Sequence, residues 1–277
     1  MSPRIPDSSA QLNSSSYLLP VEDLKFLLRD EMRAVRFALE YAKAELILRD
    51  WNIRSTIIVF GSARVPSPEM LDALPPPATE AEAVLRKRQR RWYEAAREFG
   101  RIASLNGGAL KNESQVRDNV VATGGGPGLM EAANRGAHDV GAPTIGFNIT
   151  LPVEQRPNPY TTPELTFRFH YFAMRKMHLA MRANALAIFP GGFGTLDELF
   201  ELLTLLQTRK APWLPVVLFD SDYWRSVINF PALVEAGMLG PDDCALFEFA
   251  DSAEEAWKSI EKRGLRAHAN QRPNRGV

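Results

Sequence analysis

The chain has 277 residues, 45% of them hydrophobic and 24% charged, and its 33 basic residues balance 33 acidic ones. This length suffices for one large domain or two small ones with a buried core. Zero net charge argues against a nucleic-acid partner, because proteins that grip a phosphate backbone usually carry a basic surplus. The single cysteine, Cys244, excludes an internal disulfide and cysteine-rich zinc sites, and the four histidines lack metal-ligand spacing.

The chain divides into four predicted parts. Residues 1–16 are polar and serine-rich without an apolar core, which predicts a disordered tail and no secretory signal. Apolar residues at helical spacing predict an N-terminal helical extension over residues 17–50. Residues 51–266 form the predicted main domain, and residues 267–277 a flexible tail. Since no stretch approaches the roughly 18 apolar residues of a membrane helix, we expect no membrane partner and a cytoplasmic location.

Strands and helices alternate through the main domain. A β-branched run predicts a strand at 53–60, followed by a proline-rich loop and a long helix over 80–105. Further strands are predicted at 119–123, 143–149, 165–172, 185–189, 216–219 and 246–249. Helices are predicted at 129–138, 174–184, 196–209 and 222–236, and a last one after a capping box at 252–255. This order predicts an α/β, Rossmann-like, doubly wound domain, with helices on both faces of a mostly parallel sheet.

The loop Pro190–Thr195 follows one predicted strand and opens a predicted helix. In such sheets, ligands bind at the carboxyl ends of strands, where helix N-termini offer free N–H groups. Its three glycines can wrap an anion, and the Thr195 hydroxyl can donate to a phosphate oxygen. The loop lacks the P-loop lysine and the dinucleotide-binding glycine order. The alternative is structural: Thr195 caps the helix, with Glu198 as its capping-box partner.

Three weaker features accompany this loop. The glycines Gly124–Gly126 also follow a strand, but a plain turn and helix start is the alternative. Ser62 lies in a third loop at a strand end. Arg175 and Lys176 open a predicted helix, where cations oppose the helix dipole; a nearby anion would explain them, and solvated surface charge is the alternative.

Together these residues resemble the LOG (LONELY GUY) family. The resemblance is carried in order by the Gly124–Glu131 segment, by Met174-Arg175-Lys176, and by the P-G-G-x-G-T-x-x-E element of Pro190–Glu198. It covers roughly Ser55 to Ala250, and the long helices are similar to those of the longer, bacterial-type branch. The family implies cleavage of the N-glycosidic bond of nucleoside 5′-monophosphates, AMP or cytokinin riboside 5′-monophosphates, to free base and ribose 5-phosphate. It also implies no metal or redox cofactor, and a homodimer or higher homo-oligomer.

The resemblance assigns roles to individual residues. Arg175 and Glu198 match the catalytic pair. The predicted substrate- and phosphate-binding residues are Gly191, Gly192, Phe193, Gly194, Thr195, Lys176, Gly124, Gly125, Gly126, Ser62, Glu154 and Thr204. This chain has Ala173 and Met174 where short members have a histidine and an acidic residue, a departure that concerns base preference.

Three functions compete. The first is the nucleotide N-glycosidase. The second is a non-catalytic carrier of a nucleotide or of molybdenum cofactor, which needs the glycine loop but not Arg175 and Glu198. The third is a nucleotide-sensing module that docks through the N-terminal extension. Family members often carry the label lysine decarboxylase, but no lysine here stands in a recognisable pyridoxal-phosphate setting.

Overall fold

A computed structural model describes residues 7–110, 115–151 and 156–265. Its contacts divide the chain into two units, Met1–Lys43 and Ala44–Val277. The first unit contains two short helices, α1 (Ser9–Leu12) and α2 (Leu24–Leu27), and three-ten turns at Ser15–Tyr17 and Asp30–Met32. The boundary falls within α3 (Arg33–Asp50). The four-part division of the chain stays a prediction, and the tail 267–277 lies outside the described residues.

The second unit is built on seven parallel strands in the order β4-β3-β2-β1-β5-β6-β7. They are β1 (Thr56–Phe60), β2 (Val120–Thr123), β3 (Ile145–Ile149), β4 (Thr166–Phe169), β5 (Ala183–Ile188), β6 (Val216–Phe219) and β7 (Glu248–Ala250). Every residue of β1, β2, β5 and β6 is buried. Their near-continuous apolar sequences therefore fit strands covered on both faces, and the predicted parallel α/β sheet is confirmed.

Eight helices follow α3 in the described residues of the second unit. They are α4 (Pro68–Asp72), α5 (Glu80–Asn106), α6 (Leu129–Asp139), α7 (Phe172–Met181), α8 (Phe193–Gln207), α9 (Ser221–Val227), α10 (Phe230–Glu235) and α11 (Ala253–Lys262). The predicted proline-rich loop contains α4, because Ser67 caps it and Pro68 suits the first helical position. The helix expected at 222–236 is two helices, with Asn229 capping the second.

The helices cover both faces of the sheet. α5 and α6 pack together so closely that a Cβ on Gly136 would lie 1.8 Å from the Arg97 carbonyl oxygen. α11 packs on α5, β6 and β7, whereas α7 packs on β3 and β4. Right-handed crossovers that run in opposite directions from β1 place α5 and α6 on one face and α7 and α8 on the other.

The strand order reverses between β1 and β5. The chain moves outward from β1 to β4 and then returns to start β5 on the other side of β1. In doubly wound sheets, the crevice at the carboxyl ends of two such strands is where ligands bind. The loop that starts at Gly61 and the loop that starts at Phe189 leave the sheet at this crevice.

Candidate active site

A cavity of about 590 Å³ lies over the ends of β1 and β5 and the start of α8. This volume is within the range of small-molecule sites. Its lining consists of Phe60–Arg64, Met130, Phe172, Arg175, Gly191–Glu198, Tyr223 and Val227. The structure thus brings together the catalytic pair, the second glycine loop and Ser62 of the sequence prediction.

The second glycine loop presents bare amides to this cavity. α8 begins at Phe193, with Gly192 at its N-cap position. In the described part of the chain, the N–H groups of Gly191 to Gly194 have no hydrogen-bond acceptor. A Cβ on Gly191 would lie 2.0 Å from Thr195 Oγ1, so only glycine fits there. Four free donors at the positive end of a 15-residue helix are an arrangement that can bind an anion.

The capping-box alternative for Thr195 and Glu198 is wrong. Thr195 is the third residue of α8 and not its cap, and its N–H donates to the Gly192 carbonyl at 3.0 Å. The helix starts earlier than the sequence predicts, because the glycine at 192 ends the loop. Glu198 is therefore free of a capping role and lies one turn beyond Thr195.

Arg175 and Glu198 face each other across a short gap. Arg175 Nη1 lies 3.7 Å from Glu198 Oε1, and the side chains are only 13% and 7% exposed. Arg175 Nε donates to the Phe147 carbonyl at 2.8 Å. That carbonyl lies past the end of β2, which pairs with β3 only as far as Gly146. Within the described residues, the Glu198 carboxylate accepts no hydrogen bond.

The protonation of this pair is perturbed by burial. Burial raises the pKa of Glu198 above its ordinary value, and the positive charges of Arg175 and Lys176 offset only part of that rise. Burial lowers the pKa of Arg175, against the opposite effects of Glu198 and Asp197. A cavity carboxylate with a raised pKa and no hydrogen-bond donor is the kind of group that marks a functional site.

Lys176, a predicted substrate-binding residue, does not line the cavity. Its Nζ lies 2.7 Å from Asp197 Oδ2 and 2.8 Å from Glu201 Oε2, so the ammonium bridges α7 to α8. Burial opposes its charge, but the bonds to Asp197 and Glu201 raise the pKa of Lys176 overall. A lysine that forms a Schiff base needs the opposite, a depressed pKa.

The first glycine loop is filled by the protein itself. Gly124–Gly126 are not part of the cavity lining. A Cβ on Gly124 would lie 2.4 Å from Arg175 Nη2, so this glycine leaves room for the guanidinium. Asn158 donates to the carbonyls of Gly125 and Gly126, and the Gly125 amide donates to Thr123 Oγ1. The first glycine loop therefore provides the space in which the Arg175 guanidinium lies.

The remaining predicted contacts are scattered. Ser62 lines the cavity, where its Oγ accepts from the Arg64 amide at 3.1 Å. Phe193 also lines the cavity, with 93% of its surface exposed. Thr204 lies outside the cavity on an exposed part of α8, and its hydroxyl donates to the Phe200 carbonyl. Glu154 lies outside the described residues.

Several lining residues were not predicted from the sequence. Tyr223 follows β6, the neighbour of β5, and its hydroxyl donates to the Gly191 carbonyl at 2.8 Å. Its position just past a strand end was the available signal in the sequence. Met130 and Phe172 add apolar surface to the cavity.

Residues 7–110, 115–151 and 156–265 lack two further kinds of feature. No cluster of three or more His, Cys, Asp or Glu side chains in these ranges is arranged to hold a metal ion. None of the helices in the same ranges combines the length and apolarity needed to cross a bilayer.

Comparison with known proteins adds relatives of similar sequence. A family model described as "Possible lysine decarboxylase" matches residues 130–260, a stretch that contains Arg175, the second glycine loop and Glu198. The Arabidopsis thaliana protein named cytokinin riboside 5′-monophosphate phosphoribohydrolase LOG3 is 31% identical over 158 residues, which cover 55% of this chain and 72% of that protein. A second such phosphoribohydrolase of the same plant, LOG4, is 28% identical over 182 residues, covering 59% and 83%.

Among solved structures, the molybdenum cofactor binding protein of the phototrophic bacterium Rippkaea orientalis aligns with 76% of this chain and 97% of its own. The TM-score is 0.46 and the identity is 19%. Likeness at this level supports no inference about ligand or activity.

Proposed function

This chain belongs to the LOG family of phosphoribohydrolases, and from that membership we propose that it hydrolyses the N-glycosidic bond of purine nucleoside 5′-monophosphates, AMP and cytokinin riboside 5′-monophosphates among them. The products are the free base and ribose 5-phosphate. One observation carries the proposal: a buried carboxylate without a hydrogen-bond donor among the described residues, Glu198, lies one turn beyond the bare amides at the start of α8.

The amides of the second glycine loop anchor the 5′-phosphate. Charge-assisted hydrogen bonds from backbone N–H groups to an anion are about twice as strong as neutral ones. The Thr195 hydroxyl lies against Gly191 and adds a further donor. Because the phosphate does not react, its binding energy serves to orient the ribose. A phosphate at the loop places the ribose over the turn that contains Glu198.

Glu198 supplies the negative charge that the reaction needs. Breaking the bond between C1′ and the base nitrogen develops positive charge on the ribose ring, as in other glycoside cleavages. A carboxylate in a partly dry cavity stabilises that charge strongly. Glu198 also accepts a proton from the water that attacks C1′ and then releases it to solvent, while the base nitrogen takes up a proton from solvent as it leaves. One nucleotide and one water thus give one base and one sugar phosphate.

Arg175 favours the ionised form of Glu198, although burial outweighs this effect, and it faces the substrate. At 3.7 Å from Glu198 Oε1 it does not neutralise the carboxylate by a close hydrogen-bonded pair, so the carboxylate stays available. Its bond to the Phe147 carbonyl and its seat beside Gly124 fix the guanidinium. The remaining guanidinium donors can bind ribose hydroxyls or the departing base.

The arrangement favours hydrolysis over the alternatives. A carrier would use the amides but has no use for a desolvated carboxylate, which costs stability. The decarboxylase description of the family model finds no support in Lys176, whose contacts with Asp197 and Glu201 favour the protonated ammonium.

Product analysis tests the proposal. Purified protein is incubated with AMP, with a cytokinin riboside 5′-monophosphate and with adenosine, and the products are separated by chromatography. We expect free base and ribose 5-phosphate from both nucleotides, and far less base from adenosine, which lacks the anchoring phosphate. Nucleotides recovered intact, although they bind, would leave the protein as a carrier.

A further inference from the structure

Among the described residues, one hydroxyl group forms the only hydrogen bond to the peptide between Gly191 and Gly192. The Tyr223 hydroxyl donates to the Gly191 carbonyl at 2.8 Å. A trans peptide is planar, so its carbonyl and the following N–H point in opposite directions. The direction of the Gly191 carbonyl therefore sets the direction of the Gly192 N–H, one of the four free donors of the second glycine loop.

Side-chain packing restrains only one end of this peptide, where Gly191 lies against Thr195. Both flanking residues are glycines, whose backbones rotate with little steric restriction. A Cβ on Gly192 would meet no atom of the described residues within 4 Å, so packing leaves this position loose. A hydrogen bond from outside the loop is then needed to keep the amide of Gly192 turned toward an anion.

Tyr223 is itself fixed by Asp220. Asp220 follows β6 directly and is 2% exposed. Its Oδ1 accepts from the Tyr223 amide at 3.0 Å, while its Oδ2 accepts from Trp92 Nε1 at 2.5 Å and from Arg91 at 2.6 Å. The rings of Trp92 and Tyr223 pack edge to face, with 5.6 Å between centroids.

The backbone at Asp220 is strained. Its φ of 71° lies in the left-handed region, which is unfavourable for a residue with a side chain. Such strain persists only where the surroundings over-determine it, and it concentrates at functional sites. Here three donors converge on one buried carboxylate and hold the start of α9, and with it Tyr223, against the loop.

We propose that Tyr223 is a positioning residue for the substrate phosphate, with Asp220 as its anchor. The Tyr223 hydroxyl locks the Gly191–Gly192 peptide so that the Gly192 N–H is preorganised for the anion. Arg91 and Trp92 connect this lock to α5. The inference rests on the proposed function, because it concerns binding of the phosphate of that substrate.

Tyr223→Phe removes one oxygen atom and keeps the ring against Trp92. Without the lock, the Gly191–Gly192 peptide can turn, and one charge-assisted bond to the phosphate is lost. We expect the Kd for AMP, measured by calorimetry in the Glu198→Gln background so that AMP is not consumed, to weaken about 10-fold, equivalent to about 1.4 kcal/mol. The KM for AMP should rise by a similar factor, with kcat changed less than about 3-fold. An AMP affinity within twofold of that of Glu198→Gln alone would overturn the proposal.

The matched control is Tyr93→Phe. The Tyr93 hydroxyl donates to Glu131 at 2.8 Å, a buried tyrosine bond that does not involve the loop. This variant should lose thermal stability and keep its AMP affinity. Equal weakening in both variants would reduce the Tyr223 effect to general loosening of the fold.

Asp220→Asn tests the anchor. It should weaken AMP binding in the same direction, and the double variant with Tyr223→Phe should bind no worse than the weaker single one, because both changes act through one peptide. Additive losses of AMP affinity in the double variant would contradict the proposal that Asp220 acts through Tyr223. Since calorimetry needs no turnover, a wild type that binds AMP without releasing base would sink the proposed function while leaving the positioning role testable.

Discussion

The two glycine loops leave the same edge of the sheet, yet their glycines do different work. After β2, the positions of the missing side chains are occupied by the protein's own groups: Arg175 beside Gly124 and Asn148 beside Gly125. After β5, a Cβ on Gly192 or Gly194 would meet no atom of the described residues within 4 Å. The first loop is shaped around side chains of the chain, whereas the second, beyond the contact of Gly191 with Thr195, leaves open space and free amides beside the cavity. A glycine-rich sequence therefore does not identify a ligand site until its neighbours are known.

The largest expected effect lies where the second loop meets Glu198. Glu198→Gln keeps the size of the side chain but removes the charge and the proton acceptor. We expect AMP binding to be retained and kcat to fall at least about 100-fold, the scale of losing a positioned acid–base group. Steady-state base release and calorimetry measure the two parts. A kcat close to that of the wild type would show that Glu198 is not a catalytic residue.

For the same variant we also predict the direction in which the melting temperature changes. Because the pKa of Glu198 is raised in the folded state, the folded protein holds this proton more tightly than the unfolded one. The stability that this group contributes is then greatest below the ordinary pKa of 4.5 and is lost as pH rises through the folded pKa. Glu198→Gln should therefore melt at or above the wild-type temperature at about pH 8, in thermal unfolding. A melting temperature below that of the wild type would mean that neighbouring groups stabilise the ionised Glu198 carboxylate, and would contradict the raised pKa.

Activity should follow the same titration. Only ionised Glu198 accepts a proton, so kcat/KM should fall about 10-fold per pH unit below its raised pKa. The acid limb of the pH profile should thus have its midpoint above 4.5. The measurement is base release from AMP across roughly pH 4–8, with protein stability checked at each pH. A flat profile down to the ordinary glutamate pKa would contradict this.

The first loop should affect catalysis through Arg175. Gly124→Ala places a methyl group where the guanidinium lies, and the flexible ends of Arg175 and Met130 can move aside. The fold should tolerate this, but kcat should fall by about 10-fold to 100-fold, the cost of misplacing a reacting group by roughly 1 Å. Kinetics and thermal unfolding separate these effects. An unchanged kcat would show that the seat beside Gly124 does not position Arg175.

A substitution in the second loop should weaken affinity without destabilising the fold. Gly194→Ala adds a methyl group to open space inside α8, which should raise stability by about 0.5–1 kcal/mol. The same methyl group narrows the anion site, so the KM for AMP should rise about 10-fold. Denaturant unfolding and kinetics give both values. A KM that stays unchanged while stability rises would remove Gly194 from the phosphate site.

Thr204 provides the smallest expected effect. It lies outside the cavity and its hydroxyl bonds within α8, so Thr204→Ala should change kcat/KM less than about twofold. A larger fall in kcat/KM would contradict the placement of Thr204 outside the substrate site.

The features that depend on local sequence pattern could be predicted. The β-branched runs predicted the strands to within a few residues, and the strand–glycine–helix order placed both loops at one edge of the sheet. Arg175 and Glu198 came from the family resemblance, and their 3.7 Å separation could not be read from positions 23 residues apart. The predicted start of α8 was wrong. Thr195 and Glu198 fit a capping box in the sequence, but Gly192 takes the N-cap position and the helix starts at Phe193.

The rest required three-dimensional neighbours. Gly124 and Gly192 look alike in the sequence, and only the atoms around them separate an occupied position from an open one. Tyr223 lies 32 residues from Gly191, so its hydroxyl bond has no sequence signal beyond the strand that precedes it. The left-handed backbone of Asp220 likewise has no signal in the local sequence.

The most direct test is a crystal structure of Glu198→Gln with AMP. We expect the phosphate within hydrogen-bond distance of the amides between Gly191 and Gly194, and C1′ of the ribose beside residue 198. A phosphate held elsewhere, or a ribose turned away from residue 198 and Arg175, would contradict catalysis in this cavity.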